Sequence, residues 1–190
     1  MSLLDHFTKL NQLDPTNHNG HPETTTLGVR TDEYCFSLMD DSFLSSLPFV
    51  VTPEITDLVH DLCSKIPSQK QKALQIYRWM RSSIGYGTQK QHNGYRNSIQ
   101  VFNDQEGVCG EQTALYLTMA RLVGIRGSYT RVYKDDKGEH VNHACALIDV
   151  PGQYGQRTLV DPAYSIYDVN HQSIEPLTDK ELFRLYQQWR

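Results

Sequence analysis

Between Cys109 and Val123, Ala114, Leu115, Leu117, Met119, Ala120, Leu122 and Val123 fall on every side of a helical wheel. A helix that is apolar all round has to be covered on most sides, so the rest of the chain must be layered around it. Gly124 then supplies the stop of a C′ residue. At 190 residues and 21.8 kDa the chain suits one domain with this helix at its centre.

Two amphipathic helices are expected before it. Ile55, Leu58, Val59, Leu62 and Ile66 form a stripe that starts after Thr52 and stops at Pro67. Ser68 and Gln71 have capping-box spacing, and Ala73, Leu74, Tyr77, Met80 and Ile84 continue the helical period up to Gly85 and Gly87. Residues 86–108 are rich in Asn, Gln and Gly and read as a long surface loop. After the central helix, 128–134, 140–150 and 158–161 read as three antiparallel strands in a meander. Thr178 and Glu181 predict a capped final helix. Residues 1–50 are an N-terminal extension or first strands, with a short strand over 25–36. Residues 51–170 form the core, and 171–190 is a C-terminal helix packing on it.

A net charge of −4 offers no basic field for a phosphate backbone or an anionic lipid surface, so neither nucleic acid nor membrane is an expected partner. No apolar run approaches the ~20 residues that span a bilayer. The opening MSLLDHFTKL, with Asp5 and no basic start, lacks the pattern of a secretory leader, and a cytoplasmic location is expected. Nothing in the sequence sets an oligomeric state.

Of the four cysteines, Cys35, Cys63, Cys109 and Cys145, only Cys109 stands at a helix start, between Gly107 and Gly110. Unpaired N–H groups and the positive end of the helix dipole favour a thiolate there, and the glycines would let a substrate backbone come close. Taken alone, Cys109 also reads as a small residue at a tight helix start. His143 sits mid-strand, where Val141, His143, Cys145 and Leu147 share one face. An imidazole there reads either as a satisfied core histidine or as a general base for the thiol. Asp161 ends the next strand, where a carboxylate reaches an antiparallel neighbour or simply begins the turn at Pro162. A second pattern, His140, His143 and Cys145, has metal-like spacing, but on a strand 140 and 143 point to opposite faces. No metal and no cofactor is expected.

Three segments, 107-GVCGEQTALYLTMARLVGI-125, 142-NHACALID-149 and 159-LVDPAY-164, carry the order Cys, His, Asp. That order resembles the transglutaminase-like superfamily of papain-fold thiol enzymes, and the 76–86 stretch with Ile76, Tyr77, Trp79, Ile84 and Tyr86 resembles the helix and aromatic preceding its core. The resemblance implies an α+β fold, with a papain/transglutaminase-like core in which a central helix packs on an antiparallel sheet. It implies Cys109 as nucleophile, His143 as base and Asp161 as its orienter. It also implies an upstream side chain completing an oxyanion hole. Asn103, six positions before Cys109, is the first candidate, with Gln89, Gln91 and Gln100 behind it. Cys145 departs from the tryptophan that many members carry two residues after the histidine. The implied activity is thiol-dependent hydrolysis of peptide or side-chain amide bonds in a peptide or protein substrate. Glutamine transglutamination, deamidation and a non-catalytic binding module on the same fold are the alternatives.

Overall fold

The computed structural model describes residues 29–30, 47–87 and 95–188. The strand expected over 25–36 falls within these only at β1 (Val29–Arg30), which pairs in parallel with β2 (Val50–Val51); the rest of it lies outside the described residues. α1 (Pro53–Cys63) begins where Thr52 Oγ1 accepts the Ile55 N–H and Pro53 occupies the first turn. Its Ile55, Val59 and Cys63 face the core. α2 (Gln69–Ser83) starts at Ser68, whose hydroxyl makes no cap bond, so the expected Ser68–Gln71 box does not form. The helix stops before Gly85 because Ile84 turns to extended backbone and buries its side chain. β3 (Gly85–Tyr86) follows, with the Gly85 N–H donating to Gln105 O.

The stretch read as one long loop contains a helix, α3 (Ser98–Asp104). The Asn97 side chain accepts the Gln100 N–H and the Gln100 side chain accepts the Asn97 N–H, both at 3.0 Å. Val101 is fully buried, and Ser98 Oγ ties the helix to both the N–H and C=O of Val50. The polar surroundings masked a capping box and one apolar anchor. Gln105, at φ 54°, turns the chain into β4 (Glu106–Gly107), parallel to β3. Gln89 and Gln91 lie outside the described residues.

α4 (Cys109–Leu122) is the central helix, buried continuously from Gly110 to Ala120, and Gly124 closes it at φ +77°. Then come β5 (Gly127–Lys134), β6 (His140–Ile148) and β7 (Thr158–Asp161), the expected meander. Two further strands were not expected, β8 (Ile166–Val169) and β9 (Ser173–Leu177). Asp168, in a left-handed conformation, and Pro176 disguise them; Pro176 is tolerated because β9 is an edge strand. Ala144, Ala146 and Ile148 of β6 belong to the main core with α1, α2 and α4. Cys145 and Leu147, on the opposite face, pack with Val132, Leu159 and Val169. α5 (Asp179–Gln188) begins with the expected box, the Thr178 N–H donating to Glu181 Oε2 (2.8 Å) and the Glu181 N–H to Thr178 Oγ1 (3.3 Å). Leu182 and Tyr186 bury its apolar side. The fold is α+β, a central helix on an antiparallel sheet.

The sheet order β8-β7-β6-β5-β9 puts consecutive strands on opposite edges. In a flat sheet those edges would stand roughly 19 Å apart, four spacings of about 4.8 Å. From Val169 to Ser173 the chain reaches roughly 14 Å at most. The sheet therefore curls, drawing its edges together, and residues 170–172 cross beside the ends of β6 and β7.

Candidate active site

Glu111 fixes the first turn of α4. Its carboxylate accepts the Val108 N–H (2.9 Å), the Arg96 N–H (2.8 Å) and Arg96 Nε (3.1 Å), while Arg96 Nη1 reaches Asp104 and Glu106. Arg96 and Glu111 are both 1% exposed at the side chain, so a desolvated ion pair sets where Cys109 stands. The flanking glycines serve packing rather than substrate approach. Both are buried, and a Cβ on Gly110 would collide with the Tyr129 hydroxyl, while one on Gly107 would press on Val101 and Glu111. Cys109 itself is partly exposed.

His143 and Asp161 meet across β6 and β7. Nε2 of His143 is 2.6 Å from Asp161 Oδ2, both side chains buried. The Cys109 thiol also acts on the ring, favouring the imidazolium, and with Nε2 engaged, Nδ1 is the nitrogen left for sulfur. Burial works against the imidazolium, but the Asp161 hydrogen bond, the neighbouring Cys109 thiol and the charges of both outweigh it, raising His143 from 6.5 to about 9. Burial likewise pushes Asp161 up, yet the donors His143 and His171, the His143 charge and the Tyr164 N–H hold it below its ordinary value.

Of the three expected residues, the structure pairs His143 with Asp161 across β6 and β7, and Cys109 stands at the start of α4. Other side chains join them without having been picked for it. Tyr164 stacks on the His143 ring, centroids 4.1 Å apart at 22°. His171 Nε2 lies 3.0 Å from the same Asp161 oxygen. In sequence it is one polar residue in Asn170-His171-Gln172, with no spacing to betray it. The Tyr86 side chain is 65% exposed, but its hydroxyl lies beside Cys109, where lost solvation and the thiol's charge raise its pKa. The parallel register Tyr86↔Gly107 accounts for its reach. Asn103 is exposed near the end of α3, on the side opposite buried Ser98 and Val101.

The sites of potential metal ligands also differ from the spacing in the sequence. His140 is exposed at the start of β6, and Cys145 is buried in the smaller core. The described residues with ligand-type atoms that converge are His143, Asp161 and His171. Two imidazoles at 2.6 and 3.0 Å from one shared oxygen have hydrogen-bond spacing, and the group reads as a bonded network.

Among solved structures, a proposed cysteine protease from Cytophaga hutchinsonii is similar with a TM-score of 0.52 and 14% identity, over 75% of this chain and 57% of that one. A proposed protease from Parabacteroides distasonis gives 0.44 and 13%, covering 63% of this chain and 28% of that one. LapG from Legionella pneumophila gives 0.47 and 12%, covering 76% of this chain and 100% of that one. The chain thus spans little more than half of the first structure, and likeness at such identities bears on fold. Comparison with curated protein sequences finds no match. The model of the transglutaminase-like superfamily matches residues 56–159, from the first turn of α1 through the central helix and into β7. Matched over more than half its length, and folded as that architecture requires, the chain belongs to the transglutaminase-like superfamily.

Proposed function

We propose that the chain is a thiol-dependent hydrolase of amide bonds in peptides or proteins, with Cys109 as nucleophile, His143 as acid and base, and Asp161 as orienter. One observation carries this reading: the His143 imidazole is held by the buried Asp161 carboxylate at 2.6 Å, and the Cys109 thiol at the start of the central helix helps hold that ring protonated. Cys109 Sγ attacks the carbonyl carbon, and a C–S bond forms as the C=O electron pair moves to oxygen. The Cys109 N–H and the neighbouring Tyr86 hydroxyl are the donors for that oxyanion. The His143 imidazolium protonates the departing nitrogen, and the C–N bond breaks. Water then adds to the thioester, its proton passing to His143, and the C–S bond breaks to release the acid and restore the starting pair.

Water is the acceptor in this reading because a partly exposed thiol offers an amine no advantage over bulk solvent. Mass spectrometry on a broad peptide and protein library, with and without putrescine, tests it. Cleaved backbones, lost in Cys109→Ala and His143→Ala and reduced to a residue in Asp161→Asn, are the expected result. A gain of about one mass unit at glutamine would instead indicate deamidation. Amine adducts dominating over hydrolysis would mark a transferase, and no turnover of any kind would leave a binding module.

A further inference from the structure

His171 is a buried titratable side chain that the chemistry above does not employ. It lies on the 170–172 link between opposite sheet edges, 5% exposed, and its ring stands edge-on to both His143 and Tyr164. Its Nε2 is 3.0 Å from Asp161 Oδ2, the oxygen that His143 engages at 2.6 Å, while Asp161 Oδ1 accepts the Tyr164 N–H at 2.9 Å. Three separate pieces of chain therefore converge on one carboxylate. His171 Nδ1 is buried with no hydrogen-bond partner among the described residues. A proton on Nδ1 would leave a buried donor unpaired and set the Nε2 lone pair against the carboxylate, so the geometry selects the Nε2–H tautomer, which donates to Asp161.

We propose that His171 is a positioning residue, clamping the Asp161 carboxylate in line with His143 and keeping it an ionised acceptor as the pH falls. The inference deepens the thiol-hydrolase reading and rests on it for its catalytic meaning. Without His171, Oδ2 would be held by His143 alone, the very ring the carboxylate has to orient; a second donor on Oδ2 fixes that oxygen independently of His143. The His171 hydrogen bond is among the influences that hold the Asp161 pKa down. The titratable groups that act on or feel Asp161 are His143 and Cys145 on β6, His171, Tyr164 on the following turn, Tyr77 on α2 and Tyr86 on β3.

Carboxyl-carbon NMR titration of Asp161 in the wild type, His171→Leu and His171→Gln provides the test. In His171→Leu the Asp161 midpoint should rise, kcat/KM should fall about tenfold and its acid limb should move to higher pH. His171→Gln, which restores a donor, should bring both back toward the wild type, whereas a role in packing alone would alter the thermal midpoint and leave the pH profile in place. Nitrogen-15 shifts of His171 in the unaltered protein give a reading that needs no variant: an Nε2–H tautomer is expected, and an Nδ1–H tautomer overturns the clamp. An unmoved Asp161 midpoint in folded His171→Leu also overturns it. A midpoint that moves as expected in a protein that turns over no amide would uphold the clamp and refute the hydrolase reading.

Discussion

The Tyr164 ring centroid lies 4.1 Å from that of the His143 imidazole with the two planes 22° apart, so the phenol covers one face of the ring that Asp161 engages at Nε2. Exposure weakens every contribution to the His143 pKa together: the burial that lowers it, and the stronger hydrogen bonds and charges that raise it. Tyr164→Ala should therefore move the His143 titration down from about 9 toward 6.5, and Tyr164→Phe, which keeps the ring, should not. Proton NMR of the imidazole C–H signals measures this. An unchanged midpoint in the alanine variant would show that the stack contributes nothing.

The raised His143 value also sets a dependence of stability on pH. A group with a folded pKa of about 9 and an unfolded value near 6.5 contributes stability that is fully present below 6.5 and lost as pH rises through 9. Asp161, held below 3.8, acts with the opposite sign: its contribution is present above 3.8 and fades as pH falls through its depressed value. Urea midpoints across this range should fall between pH 6.5 and 9, with a smaller fall in His143→Gln.

Limiting iodoacetamide followed by peptide mapping should find Cys109 modified first. Cys63 and Cys145 are enclosed, at 1% and 0% exposure, and burial pushes both thiols up. Preferential labelling of Cys63, Cys145 or Cys35 in the folded protein would count against Cys109 as nucleophile.

Tyr86 and Asn103 make opposite predictions about the oxyanion. Tyr86→Phe keeps the ring and removes the hydroxyl that reaches Cys109, so kcat should fall about 100-fold with little change in KM. Asn103→Ala, on the exposed side of α3, should leave both constants near the wild type. The reverse pattern would reinstate Asn103.

Glu111→Ala takes from Arg96 its one buried partner, leaving Asp104 and Glu106, and frees the Val108 N–H, so it should cost about 1–3 kcal/mol in chemical denaturation. Thiol reactivity at Cys109 should change with it, because the same carboxylate holds the first turn of α4. A loss within 0.5 kcal/mol would mean that the pair is dispensable.

Local chemistry was legible in the sequence wherever neighbours along the chain decide the outcome. The all-round apolar pattern of Cys109–Leu122 made that helix central, Gly124 ended it, and Thr178 with Glu181 began the last one. Alternation along β6 separated Ala144, Ala146 and Ile148 from Cys145 and Leu147. Where two local cues competed, the reading failed: Asn97 and Gln100 looked like loop residues but cap α3, and Ser68 looked like a cap but makes no bond. Only the tertiary structure could bring His171 onto the Asp161 oxygen or Tyr86 to Cys109. Those meetings depend on the curl of the five-stranded sheet and on the parallel pairing of β3 with β4, both set by segments distant in the chain. Periodicity reports which way a side chain points from its own strand or helix; which distant group it meets is decided when the layers close.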